Sequence, residues 1–377
     1  MITREIEPEI EARLHKGKAI IVMGARQVGK TTLLQNVAGK ADPNHIWLNC
    51  DDADVREKLT GATSTQLKNL IGKNKFLVID EAQRVKNIGI TLKLITDNIK
   101  DCILCVSGSS SFDLANQINE PLTGRKYEFL LYPLSVQELK NSTSQLEETR
   151  LLHQRVIYGM YPDAALNVPS AEIILKNLSG SYLYKDVLAW RNIRKPELLE
   201  KLLIALALQI GREVSYRELS AHIGADKETV ESYVDLLEKC FVIYRLMPFS
   251  RNLRNEMVKM RKIYFYDNGI RNAIINNFTP LELRDDTGAL WENFVVTERL
   301  KRLNNKMIYA NKYFWRSHAR QEVDYVEEKD GTIEATEIKW KPKPGYRFPK
   351  LFMETYKPGA THLISRENYM DFLTDLP

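Results

Sequence analysis

A glycine-rich stretch near the start of the chain has the residue types and spacing that hold phosphate groups. Residues 24–31 read GARQVGKT, which matches the phosphate-loop pattern G-x-x-x-x-G-K-[ST]. Backbone N–H groups of such a loop point at the anion, and Lys30 can reach the terminal phosphates. Thr31 can offer its hydroxyl to Mg²⁺. The predicted binding residues for ATP or ADP are Gly24, Ala25, Arg26, Gln27, Val28, Gly29, Lys30, Thr31 and Thr32.

Two adjacent acidic residues end an apolar run further along the chain. The run Phe76-Leu-Val-Ile precedes Asp80 and Glu81, and Asp80 lies 50 residues after Lys30. We expect Asp80 to hold Mg²⁺ through water and Glu81 to polarise the water that attacks the phosphate. The alternative is that both acids simply favour the start of the next helix.

A serine-rich segment follows another apolar run and predicts a contact with the γ-phosphate or the attacking water. Ser109 is the first candidate for this sensor role and Ser107 the second, and a plain serine-glycine turn is the alternative.

An arginine can stabilise the charge that builds on the phosphate oxygens in the transition state. Arg125, in the sequence LTGR, is the first candidate for such an arginine finger, supplied by a neighbouring subunit of a homo-oligomer. Arg191 and Arg194 are the next candidates, and an ordinary surface or structural arginine is the alternative.

Five short apolar runs alternate with helical patterns and position these residues. Near-continuous apolar strands are typical of a parallel sheet covered on both faces, with the ligand at the carboxyl ends of the strands. The predicted strands are residues 19–23, 46–50, 75–80, 102–107 and 127–131.

Length and composition indicate a globular protein of two or three domains. The chain has 377 residues, 44% of them hydrophobic and 27% charged, with a net charge of +5. No apolar run approaches 18 residues and the charged N-terminus lacks a signal-peptide pattern, so we expect neither membrane insertion nor secretion. Four cysteines without a second C-x-x-C pair predict a reducing, cytoplasmic location.

Six segments follow one another along the chain: GARQVGKTTLL, DEAQ, SGSSS, LTGR, YPLSVQE at 132–138 and YGMYP at 158–162. In this order they resemble a family of prokaryotic AAA-type P-loop ATPases that carry a C-terminal domain of unknown function. The resemblance implies an α/β ATPase domain of the additional-strand class, with strand order 5-1-4-3-2. It extends over almost the whole chain and names no substrate.

The middle of the chain predicts three helices and two strands, the pattern of a winged helix. Pro196 and Gly211 delimit the first helix, Ser215 begins a capping box, and residues 226–239 form the third helix. The third helix holds five acids and two lysines, which would repel DNA phosphates. We expect DNA, if bound, at the wing, and a protein-packing role is the alternative. The basic wing residues are Arg245, Arg251, Arg254, Lys259, Arg261 and Lys262.

A carboxylate hairpin occupies the C-terminal third. Asp330-Gly331 predicts a two-residue turn that sets Asp324 opposite Glu337, with Lys339 on the same face. Two facing carboxylates are unfavourable unless a cation lies between them. The alternative is a surface hairpin of alternating charges.

The set resembles the PD-(D/E)xK nuclease fold, a restriction-endonuclease-like α/β domain, although Val323 stands where that pattern has proline. The resemblance implies that Asp324 and Glu337 bind Mg²⁺, that Lys339 orients water, and that Glu292 assists from a helix.

Together these patterns predict an AAA-type ATPase domain with a helical lid at 1–190, a winged helix at 191–266 and a nuclease-like domain at 267–377. Residues 339–350, basic and aromatic, favour single-stranded or branched DNA, with a solvated loop as the alternative. The predicted function is ATP hydrolysis coupled to work on DNA. The rivals are an ATP-gated nuclease and a nucleotide-controlled protein scaffold.

Overall fold

The described part of the chain divides into two compact units, seen in a computed structural model. Residues 1–133 and 239–241 belong to the first unit, and residues 134–238 and 242–377 to the second. This division differs from the predicted boundaries at 190 and 266. No described helix is long and apolar enough to cross a membrane. The structure describes residues 2–108, 118, 121–180, 195–250 and 260–374.

The first unit contains a parallel sheet of five strands in the order β2-β3-β4-β1-β5. This is the predicted order read from the other edge, so the prediction is confirmed. The strands are β1 (Ala19–Met23), β2 (Ile46–Asn49), β3 (Phe76–Asp80), β4 (Ile103–Gly108) and β5 (Lys126–Leu130). The helices are α1 (Glu7–Glu11), α2 (Lys30–Ala41), α3 (Ala53–Leu59), α4 (Ser64–Ile71) and α5 (Ile88–Asn98).

The register of this sheet brings the chemical residues to one edge. β1 pairs with β4 and β5, and Met23 lies opposite Gly108 and Leu130. All five residues of β1 and of β3 are buried, as expected for strands covered on both faces. The glycine loop after β1, Asp80 at the end of β3 and Ser107 near the end of β4 therefore share the carboxyl edge.

The second unit is built on a mixed sheet of seven strands in the order β12-β11-β10-β9-β7-β8-β6. Its strands are β6 (Glu213–Val214), β7 (Ile243–Pro248), β8 (Arg261–Phe265), β9 (Asn311–Arg316), β10 (Glu322–Lys329), β11 (Thr332–Ile338) and β12 (Ala360–Ile364). Its first helices are α6 (Val136–Ser142), α7 (Gln145–Arg150), α8 (Leu152–Tyr158), α9 (Pro162–Leu166) and α10 (Ala171–Leu178). The others are α11 (Pro196–Leu208), α12 (Tyr216–Ile223), α13 (Lys227–Lys239), α14 (Asn268–Ile274), α15 (Thr287–Asn305), α16 (Lys350–Tyr356) and α17 (Tyr369–Thr374).

The two predicted wing strands and the C-terminal hairpin belong to the same sheet. β7 pairs with β8 in antiparallel fashion and with β9 in parallel, through Met247 opposite Tyr313. The hairpin register is confirmed, because Lys329 pairs with Thr332 across the turn and Tyr325 with Thr336. A boundary after residue 266 therefore separates strands that are hydrogen-bonded neighbours.

The capping box predicted at Ser215 does not form. Ser215 is the N-cap of α12, but its side chain makes no capping hydrogen bond. Such a cap is worth only about 1 kcal/mol, so tertiary packing can decide the position of the helix start.

The YGMYP segment packs against the residues at the start of α14. The Met160 N–H donates to Asp267 Oδ2 at 2.6 Å, and Asn268 Nδ2 donates to the carbonyl of Val156 at 2.9 Å. Gly159 has a φ of +71°, and a Cβ there would lie 2.0 Å from Asp267 Oδ1. The glycine is thus required by a close approach of two segments.

Candidate functional site

Residues 24–29, the predicted phosphate loop, connect β1 to α2 in the first unit. Gly29, with φ at +96°, is the N-cap of α2, so the loop leads directly into a helix N-terminus. Gly24 lies so close to the backbone of Leu131 that a Cβ would come within 2.1 Å of its carbonyl oxygen. The ammonium group of Lys30 is buried and donates to the carbonyls of Gly24 at 3.0 Å and Ala25 at 2.7 Å. The lysine therefore lies beside the loop that would hold the phosphates.

Arg4 supports this loop, and sequence reasoning missed it. Its guanidinium donates to the carbonyl of Val28 at 2.6 Å and to that of Tyr132 at 2.7 Å. The side chain is buried and ties the loop to the segment after β5. No local pattern marks this role, because the arginine is 24 residues from Val28 and 128 residues from Tyr132.

Thr31 and Asp80 converge at the carboxyl edge of the sheet. The Thr31 hydroxyl donates to Asp80 Oδ2 at 2.9 Å, and the Ser107 hydroxyl donates to Asp80 Oδ1. Hydroxyl and carboxylate oxygens are the donor set that Mg²⁺ prefers, and Thr31 directly follows Lys30. These residues therefore fit a magnesium ion shared with a nucleotide.

Glu81 is held in a tight turn directly after Asp80. Its φ of +53° is left-handed, and its N–H donates to Asp80 Oδ1 and to Ser107 Oγ, both at 3.2 Å. Gln83 Nε2 donates to Glu81 Oε2 at 2.5 Å. The turn positions the Glu81 carboxylate beside Asp80, an arrangement that general-base chemistry at this edge would require.

The sensor and arginine predictions fall partly outside the described residues. Ser109, Arg191 and Arg194 lie there. Ser107, the second sensor candidate, is fully buried and engaged with Asp80 and the Glu81 N–H. Its position thus explains how the acidic pair is oriented.

Arg125 lies at the amino ends of the strands, whereas the glycine loop lies at their carboxyl ends. Its carbonyl accepts the N–H of Ala19, where β1 begins, whereas the loop starts after Met23, where β1 ends. The four-residue rise between them is about 13 Å. Arg125 pairs with Asp97 at 2.6 Å and borders a cleft of about 750 Å³. Other charged residues of that cleft are Lys16, Lys18, Lys75, Lys100 and Asp101.

The second unit brings together all four residues predicted from the nuclease resemblance. Lys339 Nζ lies 2.9 Å from Asp324 Oδ2 and 2.6 Å from Glu337 Oε1. The Ile338 N–H also donates to Asp324 Oδ2 at 2.9 Å. Glu292, on α15, lies on the same side because Lys262 contacts both it and Asp324. The hairpin pattern therefore identified a true spatial cluster.

Lys262 and Tyr264, on β8, complete this cluster and were not predicted to belong to it. Lys262 Nζ lies 2.9 Å from Glu292 Oε1, and the Tyr264 hydroxyl donates to the same oxygen at 2.6 Å. Burial lowers the pKa of Lys262, but the charges of Glu292, Asp324 and Glu322 outweigh burial and leave it raised. Burial, followed by the charge of Asp324, raises the pKa of Glu292 to about 7 although Lys262 opposes this.

The predicted magnesium site of this cluster does not fit the observed arrangement. Both oxygens of Asp324 face lysine ammonium groups, and Glu337 Oε1 is bound to Lys339. Among the described carboxylates of the cluster, only Glu337 Oε2 is buried without a hydrogen-bond partner. Within the described ranges, no three acidic, histidine or cysteine side chains form a group able to hold a metal ion.

The described basic residues of the predicted wing are engaged within the protein. Arg245 Nε lies 2.8 Å from Glu238, and Arg261 lies 4.1 Å from the ring centre of Tyr216. Lys262 is buried in the carboxylate cluster. Arg251, Arg254 and Lys259 lie outside the described residues. The described half of this basic set is therefore not a free surface for phosphates.

In residues 339–350, the basic-aromatic segment, the aromatic rings and the charged groups have different surroundings. Trp340 packs against Trp291 with ring centres 5.3 Å apart, and Phe348 packs on the core cluster that contains Trp315. The exposed basic residues of the segment are Lys341, Lys343, Arg347 and Lys350. Its rings are thus partly used within the fold, and its charges face solvent.

Three family models match successive parts of the chain. Residues 16–140 match an AAA domain, residues 149–281 match a domain of unknown function (DUF8612), and residues 287–372 match another (DUF4143). An uncharacterised protein of Mycobacterium tuberculosis is 27% identical over 342 residues, covering 89% of this chain and 73% of that protein. One of Haemophilus influenzae is 24% identical over 306 residues, covering 75% and 74%.

Two solved structures align with about two thirds of the chain. A Thermotoga maritima RuvB Holliday junction branch migration motor aligns at 17% identity and a TM-score of 0.32, covering 65% of this chain and 90% of that chain. Drosophila ORC bound to AT-rich DNA and Cdc6 aligns at 11% identity and a TM-score of 0.26, covering 71% and 88%. Because both TM-scores lie below 0.5, neither bears on function here. Residues 16–140, which hold the parallel five-stranded sheet, are therefore similar to an AAA domain.

Proposed function

We propose that the chain is a Mg²⁺-dependent ATP hydrolase. The observation that supports this best is the convergence of Thr31, Asp80 and Ser107 beside the phosphate loop. In the proposed site the N–H groups of residues 24–32 bind the phosphates and Lys30 neutralises their charge. Mg²⁺, when bound beside Thr31 and Asp80, would withdraw charge from the phosphate oxygens. Glu81 orients and deprotonates the attacking water.

We further propose that hydrolysis is coupled to DNA binding or remodelling. The exposed cations of residues 341–350 support this partner, because lysine and arginine side chains in solvent can neutralise phosphates. The decisive measurement is the ATP hydrolysis rate with duplex, single-stranded and branched DNA and without DNA. Stimulation by one structure, lost as salt rises, would support the proposal. An unchanged rate with every structure would oppose it.

A nucleotide-controlled protein scaffold is the second candidate function. It is favoured by the acidic surface at the start of α13, where Asp226, just before the helix, and Glu228 and Glu231 are exposed, and by the internal pairing of Arg245. Such a protein would hydrolyse ATP at a rate that no DNA changes. The same DNA panel therefore separates the two functions.

If Arg125 acts as an arginine finger, it must contact a nucleotide bound by a neighbouring subunit. It lies at the amino ends of the strands, away from the nucleotide that its own chain would bind at their carboxyl ends. Arg125→Ala alone and Lys30→Ala alone are expected to be inactive. Mixing them should restore part of the hydrolysis, since one chain supplies the intact loop and the other the intact arginine. Steady-state ATPase rates of the mixture, with co-purification of differently tagged chains, measure this.

Arg84→Ala is the matched control for Arg125→Ala. Arg84 is similarly exposed and also pairs with an aspartate, Asp51, so it should tolerate the change. Mixed oligomers that form without any recovery of activity would contradict the finger role.

A further inference from the structure

The acidic cluster of the second unit surrounds a lysine. Lys262 projects from β8, and its ammonium nitrogen lies 2.9 Å from Glu292 Oε1 and 3.9 Å from Asp324 Oδ1. It also contacts Glu322 Oε1 directly. The side chain is only 2% exposed. Three carboxylates from α15 and β10 therefore converge on one positive charge that the protein itself provides.

A buried ammonium among carboxylates has the place and sign of a bound cation. Carboxylates gathered in a partly dry site repel one another unless positive charge lies between them. Lys339 supplies a second such charge between Asp324 and Glu337. Both lysines thus perform the neutralisation that the hairpin pattern assigned to Mg²⁺.

The carboxylate oxygens at the centre of the cluster are already bound by donors of the protein. Mg²⁺ is usually held by one or two carboxylates and several waters at ~2.0–2.1 Å, so an ammonium group at those oxygens competes with it directly. Asp324 Oδ2 already accepts from the Ile338 N–H and from Lys339, and Glu292 Oε1 accepts from Tyr264 and Lys262. A lysine ammonium group therefore lies at an oxygen of Glu292, of Asp324 and of Glu337, where a divalent ion would bind.

We propose that Lys262 is a tethered cation that occupies the divalent-metal position of this nuclease-like cluster, so that the cluster binds no metal while the lysine is in place. The inference concerns a different unit from the ATP site and does not depend on the proposed hydrolysis. It implies that the cluster fastens β8, β10 and α15 together and does not cut DNA. Removing the lysine charge should create a divalent-cation site from Glu292, Glu322 and Asp324.

The test is Mn²⁺ binding by the full chain without nucleotide, measured by electron paramagnetic resonance after treatment with chelator. All variants carry Asp80→Asn to remove the metal ligand of the ATP site. The parent, which carries Asp80→Asn alone, is expected to bind no Mn²⁺. The same is expected of Lys262→Arg, which keeps the positive charge. Lys262→Met, which has a side chain of similar length without charge, is expected to gain one Mn²⁺ per chain. Adding Asp324→Asn should remove it.

Thermal unfolding gives a second readout, because Lys262→Met removes the positive charge that Glu292, Glu322 and Asp324 share and so lowers stability. Mn²⁺ should raise the Tm of Lys262→Met and leave that of Lys262→Arg unchanged. The proposal is overturned if the parent binds Mn²⁺ and loses it with Asp324→Asn. It is equally overturned if folded Lys262→Met binds none. If Lys262→Met does not fold, the result for the parent decides alone.

Discussion

Glu81→Gln is expected to slow ATP hydrolysis by about 10²–10⁴-fold while leaving ATP binding intact. The amide keeps the size and the hydrogen bonding of the side chain but cannot accept a proton from water. The turn that holds it should persist, since the backbone N–H bonds to Asp80 and Ser107 do not involve the side chain. Phosphate release measures the rate, and fluorescent-nucleotide titration measures the affinity.

Lys30→Ala should lose both hydrolysis and affinity, because it removes the positive charge next to the phosphate groups. Glu57→Gln is the matched control for Glu81→Gln. Glu57 is an exposed glutamate on α3 of the same unit, and its variant should hydrolyse ATP normally. Full turnover by Glu81→Gln would show that another group activates the water, and the assignment of the acidic pair would fail.

Gly159→Ala is expected to destabilise the second unit by about 3 kcal/mol or more, through steric overlap added to left-handed backbone strain. The new Cβ would lie 2.0 Å from Asp267 Oδ1. The carboxylate cannot move freely, because Met160 and Ile270 both donate their N–H groups to it within a buried site. Denaturant unfolding followed by the fluorescence of Trp291 and Trp315, both in this unit, measures the loss.

Gly224→Ala isolates the backbone contribution. Gly224 has nearly the same φ, +72°, but a Cβ added there would meet no atom within 4 Å, so its alanine variant should lose about 1 kcal/mol. Equal losses at the two glycines would mean that the YGMYP segment does not depend on the close approach to Asp267.

The residues of the proposed ATP site were predictable because they belong to local patterns attached to a regular sheet. Residues 24–31 and the run ending at Asp80 each combine an apolar strand with polar residues at its carboxyl end. Parallel strands then bring these ends to one edge without further information. Arg4 could not be predicted, because its two acceptors are backbone carbonyls, which every residue carries.

The hairpin shows the same contrast at a finer scale. Asp330-Gly331 determines the register, and the register alone sets Asp324 opposite Glu337. Lys339, which follows β11, lies between these two carboxylates. The second lysine, Lys262, comes from β8, which precedes the hairpin by about 60 residues and is predicted by its sequence only as a wing strand. The acidic pattern alone suggests a metal site, whereas the structure places a lysine of that strand among the carboxylates.

The order of the five strands was implied by the family resemblance alone. The sequence by itself determined the glycine loop, the acidic pair and the register of the hairpin. Each depends on interactions between near neighbours or on the general geometry of parallel strands. Tertiary structure alone decided the joining of the wing strands to the C-terminal sheet, the edge on which Arg125 lies and the burial of Lys262. These features depend on packing between residues far apart in the chain. The sequence pattern shows which side chains are charged or apolar, but not which of them will meet.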